Sequence, residues 1–310
     1  QLSTPSKHAS TDWTKAALYA GLMELSRIAP DARYHDAMLA MGQFNRWQLG
    51  PRPYHADDHA VGQTYAELFR LHRDPSMIAP MRERFDWIMA NPKDDNLSFQ
   101  LKDKTDRWSW CDALFMAPPA WARLALVTGE RRYLDFANRR WWVTSDYLYD
   151  RQEHLYYRDD RYFNQREANG RKVFWSRGNG WVLAGLVRML QVLPPDYVDR
   201  ERYVSQYREM AAAIRRVQPD DGVWRSSLLH PEVYPHPETS GTGFFTFALA
   251  WGIQEGLLSP GEYEPAVWHA WTGLVRCVRE DGRLTHVQPI GADPKHFDPE
   301  HSDVYGVGAF

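Results

Sequence analysis

Residues 172 to 189 read KVFWSRGNGWVLAGLVRM. Trp175, Arg177, Asn179 and Trp181 crowd together there, separated by Gly178 and Gly180, before the run continues as an apolar helical stretch. Glycine accepts left-handed or crowded backbone, so a Gly-Asn-Gly core between two indoles can aim several large side chains into one cavity at a helix start. A sugar site is commonly built this way. The competing reading is a turn whose tryptophans are core, and the neighbouring stretches decide between them.

Outward from this stretch the chain reads as helix after helix, with breaks at Pro, Gly or Asp pairs. Thr11 or Asp12 caps a helix closed near Pro30, and 31–47 carries Tyr34, Met38, Met41 and Phe44 on one stripe. Asp57 or Asp58 caps a run that ends at Arg73-Asp74-Pro75, and 76–90 follows. The apolar run 109–127 must be kinked or split by Pro118 and Pro119. Residues 130–149, 180–193, 200–217, 242–256 and 261–279 complete about ten helices in five pairs. The end, Val304 to Phe310, reads as the start of one more, which makes the last pair incomplete. Strand signals are confined to short hairpins at 155–163 and 222–224. The pattern predicts an all-α fold, a single domain over 1–310 arranged as a toroid of inner and outer helices, with loops at one end converging on a cavity.

With 310 residues the chain can bury roughly three quarters of its unfolded surface. A net charge of -3 with mixed signs implies no nucleic-acid face and no polybasic membrane anchor. No segment approaches the roughly 18 apolar residues of a membrane span. Fourteen Trp and sixteen Tyr supply flat side chains that stack on sugar faces and also fill ordinary cores. Cys111 and Cys277 lack a metal or redox spacing and read as free buried thiols. The opening QLSTPSKHAS reads as a trimmed start, consistent with a removed signal peptide and with either a periplasmic or a cytoplasmic location.

Three further stretches concentrate polar and aromatic residues. Tyr54-His55-Ala56-Asp57-Asp58-His59 places two carboxylates between histidines at a helix start, more than a cap requires. Asp112 is embedded in Trp108-Ser109-Trp110-Cys111-Asp112-Ala113-Leu114-Phe115-Met116. Burial against indole raises a carboxyl pKa, as a general acid near neutral pH needs, although a lone Asp there can also be structural. Glu238-Thr239-Ser240 is either a helix cap or a polar group at a cavity mouth. The histidines form no metal-ligand spacing, and GxSxG, phosphate-loop and dinucleotide motifs are missing, so neither metal nor organic cofactor is expected.

Taken together, 56–65 (ADDHAVGQTY), 110–119 (WCDALFMAPP), 175–181 (WSRGNGW), the segment from 221 to 242 and 303–310 (DVYGVGAF) resemble the unsaturated uronyl hydrolases, glycoside hydrolase families 88 and 105, most closely 105. The resemblance implies an (α/α)6 barrel and the hydration of a C4=C5 vinyl ether left by polysaccharide lyases, with loss of the adjoining sugar. It places the general acid/base at Asp112 and the second acid at Asp57 or Asp58. It makes Arg177 and Trp181 holders of the uronate, with Trp175, Asn179, Trp110, His59, Glu238 and Ser240 around them. Pectin-acting members carry His-Gly-Trp-Asp where this chain has Tyr157-Arg158-Asp159-Asp160, which leaves Arg158 as a second cation for a carboxylate. The implied partner is an unsaturated uronyl oligosaccharide of pectin, ulvan or arabinogalactan type. The alternatives are a sugar isomerase or lyase on the same barrel, and a non-catalytic sugar-binding protein.

Overall fold

The computed structural model describes every residue except Gln1, Ser3 and Pro5; the trimmed start read from the first ten residues falls partly on those three, outside what is described. In chain order the helices are α1 (Trp13–Ile28), α2 (Ala32–Phe44), α3 (Ala56–His59), α4 (Gly62–His72), α5 (Ala79–Ala90), α6 (Ala113–Met116) and α7 (Pro118–Thr128). They continue with α8 (Arg131–Leu148), α9 (Ser176–Leu190), α10 (Arg200–Arg216), α11 (Thr239–Gln254), α12 (Pro260–Arg276) and α13 (Val304–Ala309).

Six of them close a ring: α1 packs on α4, α4 on α7, α7 on α9, α9 on α11, α11 on α13, and α13 back on α1. Outside it, α2, α8, α10 and α12 each pack on the inner helix that precedes them. The C-terminal run expected as the start of one more helix is α13, and it takes the sixth place in the inner ring. This is the toroid of helical pairs that the sequence pattern predicts.

Local sequence explains the boundaries. The Asp12 carboxylate accepts the Thr14 N–H at 2.9 Å and starts α1. Pro118 and Pro119 stand in the first turn of α7, where their missing N–H groups have no intrahelical acceptor, so they split the apolar run into α6 and α7 rather than kink it. Gly129, left-handed with φ 74°, ends α7. Helix α10 buries Tyr203, Tyr207, Met210 and Ile214 on one face, as an outer helix should. Helix α9 is buried along its whole length because it is walled in by its neighbours.

Helix α9 begins at Ser176, ahead of the expected Gly180, so Gly178 and Gly180 lie within its first turns on ordinary helical backbone. What they provide is space. A Cβ on Gly180 would stand 3.2 Å from the Gly241 Cα of α11, and one on Gly178 would stand 3.1 Å from Cys111 Sγ. Of the two stretches expected as hairpins, 155–163 is strand only at β2 (Leu155–Tyr156), which pairs antiparallel with β1 (Tyr149–Asp150) ahead of it, because Asp160–Tyr162 turns into a short 3-10 helix; 222–224 makes no strand. Both cysteines are free and buried.

Candidate active site

Inner and outer helices alternate along the chain, so the inner ones point the same way and their N-terminal ends gather at one end of the ring. Asp57 lies in α3 just ahead of α4, Asp112 just ahead of α6 and α7, Arg177 in the first turn of α9, and Glu238 at the cap of α11. This end carries the positive ends of the helix dipoles.

Two carboxyls face each other there. Asp112 is buried, with its Oδ2 3.3 Å from the Cys111 thiol that donates to it and 3.9 Å from Arg158 Nε. Burial raises its pKa, while Arg158, the thiol and Arg177 pull it back down. Asp57, with 17% of its side chain exposed, accepts no hydrogen bond among the described residues. Burial pushes it up to about 8, and the negative charge of Asp112 adds to the push. Burial pushes both carboxyls up, so this end of the ring holds a proton more tightly than an ordinary carboxyl would.

The neighbouring Asp58 is used up in structure: its carboxylate takes the Arg52 main-chain N–H and the Arg52 guanidinium, both at 2.6 Å. His59 is also spoken for, with one ring nitrogen 2.7 Å from the Pro53 carbonyl and the other accepting from Trp121 Nε1 at 3.2 Å. His55 packs on Trp110, with ring centroids 5.1 Å apart, and burial lowers its pKa to about 4, so it is neutral at pH 7.

Arg177 is 1% exposed and lies between the Trp175 and Tyr305 rings, donating to the carbonyls of Gln288 and, at 2.8 Å, Pro289. No carboxylate partners it among the described residues, and its Nε is unbonded, so this buried cation is close enough to influence Asp112 while itself unneutralised. Trp175 donates to Gln288 Oε1 at 2.7 Å. Trp181 is surrounded by Trp13, Phe115 and Phe244, which puts its indole in the core. Asn179 spans backbone groups, accepting Tyr156 N–H at 2.7 Å and donating to the Tyr156 and Trp175 carbonyls. Glu238 caps α11, accepting from Ser240 N, Ser240 Oγ, Gly241 N and Gln288 N. Ser240 thereby serves the cap.

The structure thus brings Asp57, Asp112, Arg158 and Arg177 together, while Asp58, His59, Trp175, Asn179, Glu238 and Ser240 have protein hydrogen-bond partners and Trp181 is packed among aromatic rings. Sequence reasoning missed Cys111, Arg52, Gln288 and Tyr305 as parts of this end. Cys111 was signalled by standing next to Asp112; Gln288 lies in an irregular loop with no motif.

A ring of inner helices inside outer ones, with two carboxyls close to each other at its N-terminal end, is a helical barrel. The sequence profile described as Glycosyl Hydrolase Family 88 matches residues 2–310, and the chain belongs to that family. The unsaturated 3S-rhamnoglycuronyl hydrolase of Formosa agariphila is 40% identical across 97% of this chain and 83% of its own length. A solved structure, a glycosyl hydrolase family 88 protein from Bacteroides vulgatus, superposes with a TM-score of 0.88 at 32% identity, over 97% of this chain and 89% of that one. A possible family 105 member from Salmonella enterica shares the fold alone, with a TM-score of 0.80 at 19% identity over 96% of this chain and 80% of that one.

Proposed function

We propose that Asp57 and Asp112 are the reacting pair with which this hydrolase of unsaturated uronyl saccharides hydrates the C4=C5 double bond. One carboxyl gives its proton to C4, and water, relieved of a proton by the other, bonds to C5. The hemiketal so formed opens at the ring oxygen, and the adjoining sugar leaves from C1 as its alcohol. The observation that carries this is the pair itself: two largely buried carboxyls, both pushed up by burial and close enough to act on each other, one of which accepts no hydrogen bond among the described residues. Arg177 is the group for the uronate carboxylate, as a buried guanidinium with no acidic partner among the described residues and an Nε without a hydrogen-bond partner there. The name of the Formosa relative supports a rhamnosyl sugar beside the unsaturated glycuronyl residue.

Lyase-generated oligosaccharides test the reading. Hydration consumes the conjugated double bond, so its ultraviolet absorbance falls as saturated sugar is released. A rise would indicate a lyase and an unchanged signal with measurable binding a sugar-binding protein. Rhamnose-linked and other unsaturated disaccharides, compared by kcat/KM, test the adjoining sugar.

A further inference from the structure

The end of the ring opposite the proposed active site is also open. Helix α9 carries Arg177 in its first turn and runs 15 residues to Leu190, about 20 Å of helix, so the two ends are separate places. At the far end a cavity of about 710 Å³ is walled by α1, α4, α7, α11 and the segment after α9. Its floor is a knot of charge. Glu67 Oε1 accepts from Arg123 Nε and from Arg188 Nη2, both at 2.7 Å, and these three side chains are buried. Burial alone would raise the Glu67 carboxyl, but Arg188 and Arg123 outweigh it and hold it at about 2, so it is ionised at neutral pH. Its Oε2 has no hydrogen-bond partner among the described residues, with Arg27 Nη2 3.6 Å away. An ionised oxygen buried without a donor is costly, and a donor arriving from the cavity relieves it.

The lining above the floor is suited to a sugar acid. Arg27 is engaged by Glu24 at 2.7 Å, and Arg200 by the carbonyls of Leu190 and Leu193 at 3.2 and 2.9 Å. Arg70 is exposed on the lining and makes neither hydrogen bond nor ion pair among the described residues. Three positions apart on α4, Glu67 and Arg70 share a face of the helix. Phe247 and Trp251 of α11 supply flat rings to another wall, and Tyr207 braces Trp251 edge-on at 5.6 Å. Arginines at helix C-terminal ends offset the partial negative charge there. That task needs no aromatic wall and no unmet carboxylate oxygen. We propose that this cavity is a second binding site, for an anionic saccharide: Arg70 pairs with the acid group, Glu67 Oε2 accepts a hydroxyl, and Trp251 stacks on the ring. Uronyl saccharides carry all three features, so the site draws on the same pool of sugars as the active site. It stands whether or not Asp57 and Asp112 carry the reaction.

Calorimetric titration with D-glucuronate, L-rhamnose and sodium sulfate tests this on wild type, Arg70→Gln and Trp251→Ala. Glucuronate lacks the double bond, so it binds without reacting. It should fill a site whose affinity falls at least about tenfold in each variant, the size of a lost charge-assisted bond or stacked ring. Initial rates of double-bond loss at low substrate should stay at the wild-type level. If Trp251→Ala melts early, Arg70→Gln decides alone, since Arg70 is exposed and unbonded. Glucuronate binding that survives both substitutions but weakens in Arg177→Lys puts the sugar in the active site only and overturns the proposal, as does the lack of any saturable binding. Rhamnose bound as tightly as glucuronate removes the need for an acid group, and sulfate bound as tightly removes the need for a sugar; either overturns it too. The variants touch neither Asp57 nor Asp112, so failure here leaves the reacting pair standing.

Discussion

Asp58 and Arg52 are joined across the turn that opens α3, with the Asp58 carboxylate accepting both the Arg52 main-chain N–H and its Nη2 at 2.6 Å. Adjacent in sequence, Asp57 has no such bond and faces Asp112. Two carboxylates that look interchangeable in the sequence therefore stand in different surroundings.

Asp58→Ala removes the acceptor that ties down the Arg52 turn, leaving a main-chain donor unmet. It should cost about 1–3 kcal/mol of stability and lower turnover by less than about tenfold below the melt. Asp57→Asn should do the opposite, losing no stability while turnover falls roughly 100-fold or more, the range for a lost acid/base group. Thermal melts and initial rates on both variants check this, and equal catalytic losses would contradict the separation.

Asp57 also links stability to pH. Its pKa in the fold is about 8, above the ordinary carboxyl range, so the protonated form is favoured by folding. The stability this group contributes is present below about pH 4 and is lost as pH rises toward about 8. Asp57→Asn, which cannot ionise, should gain on wild type across that interval and by about 1–3 kcal/mol at pH 8.5. Urea unfolding at pH 5 and pH 8.5 measures the gain; a difference that is flat with pH would show that Asp57 is not raised.

Arg177→Lys keeps a charge but loses the planar fork that reaches the Gln288 and Pro289 carbonyls. A loss of about 1–3 kcal/mol in stability is expected, together with a KM at least about tenfold higher for substrate but a smaller change in kcat. An unchanged KM beside the lower stability would restrict Arg177 to holding the 288–289 loop.

Gly21 of α1 and Gly308 of α13 put the two helices backbone to backbone, and a methyl at either would run into the main chain of the other helix. Gly21→Ala should destabilise by about 2 kcal/mol or more by prising open the ring where its last helix meets its first. Denaturant unfolding reads this directly. A neutral Gly21→Ala would mean that α13 does not close the ring as described.

The helices were legible because their signals are local: capping Asp12, the Pro118-Pro119 start, Gly129 at the end of α7 and the one-sided apolar stripe of α10 each act within a few residues. The pairing into inner and outer helices followed from the same periodicity, and the motifs around Asp112 and Arg177 pointed to the end of the ring where the proposed site lies. The sequence alone could not choose between Asp57 and Asp58, because either carboxylate can start a helix. Only the fold, by bringing Arg52 to one and Asp112 to the other, divides them. The same holds for Trp181, which looks like a sugar platform in a row of aromatics and becomes core once Trp13, Phe115 and Phe244 arrive from three other helices. Arg158 shows the reason most plainly. Its charge is written in the sequence, but the contacts it makes with Asp159, Cys111 and Asp112 are set by the fold, and proton affinities depend on distances between groups that the chain brings together only on folding.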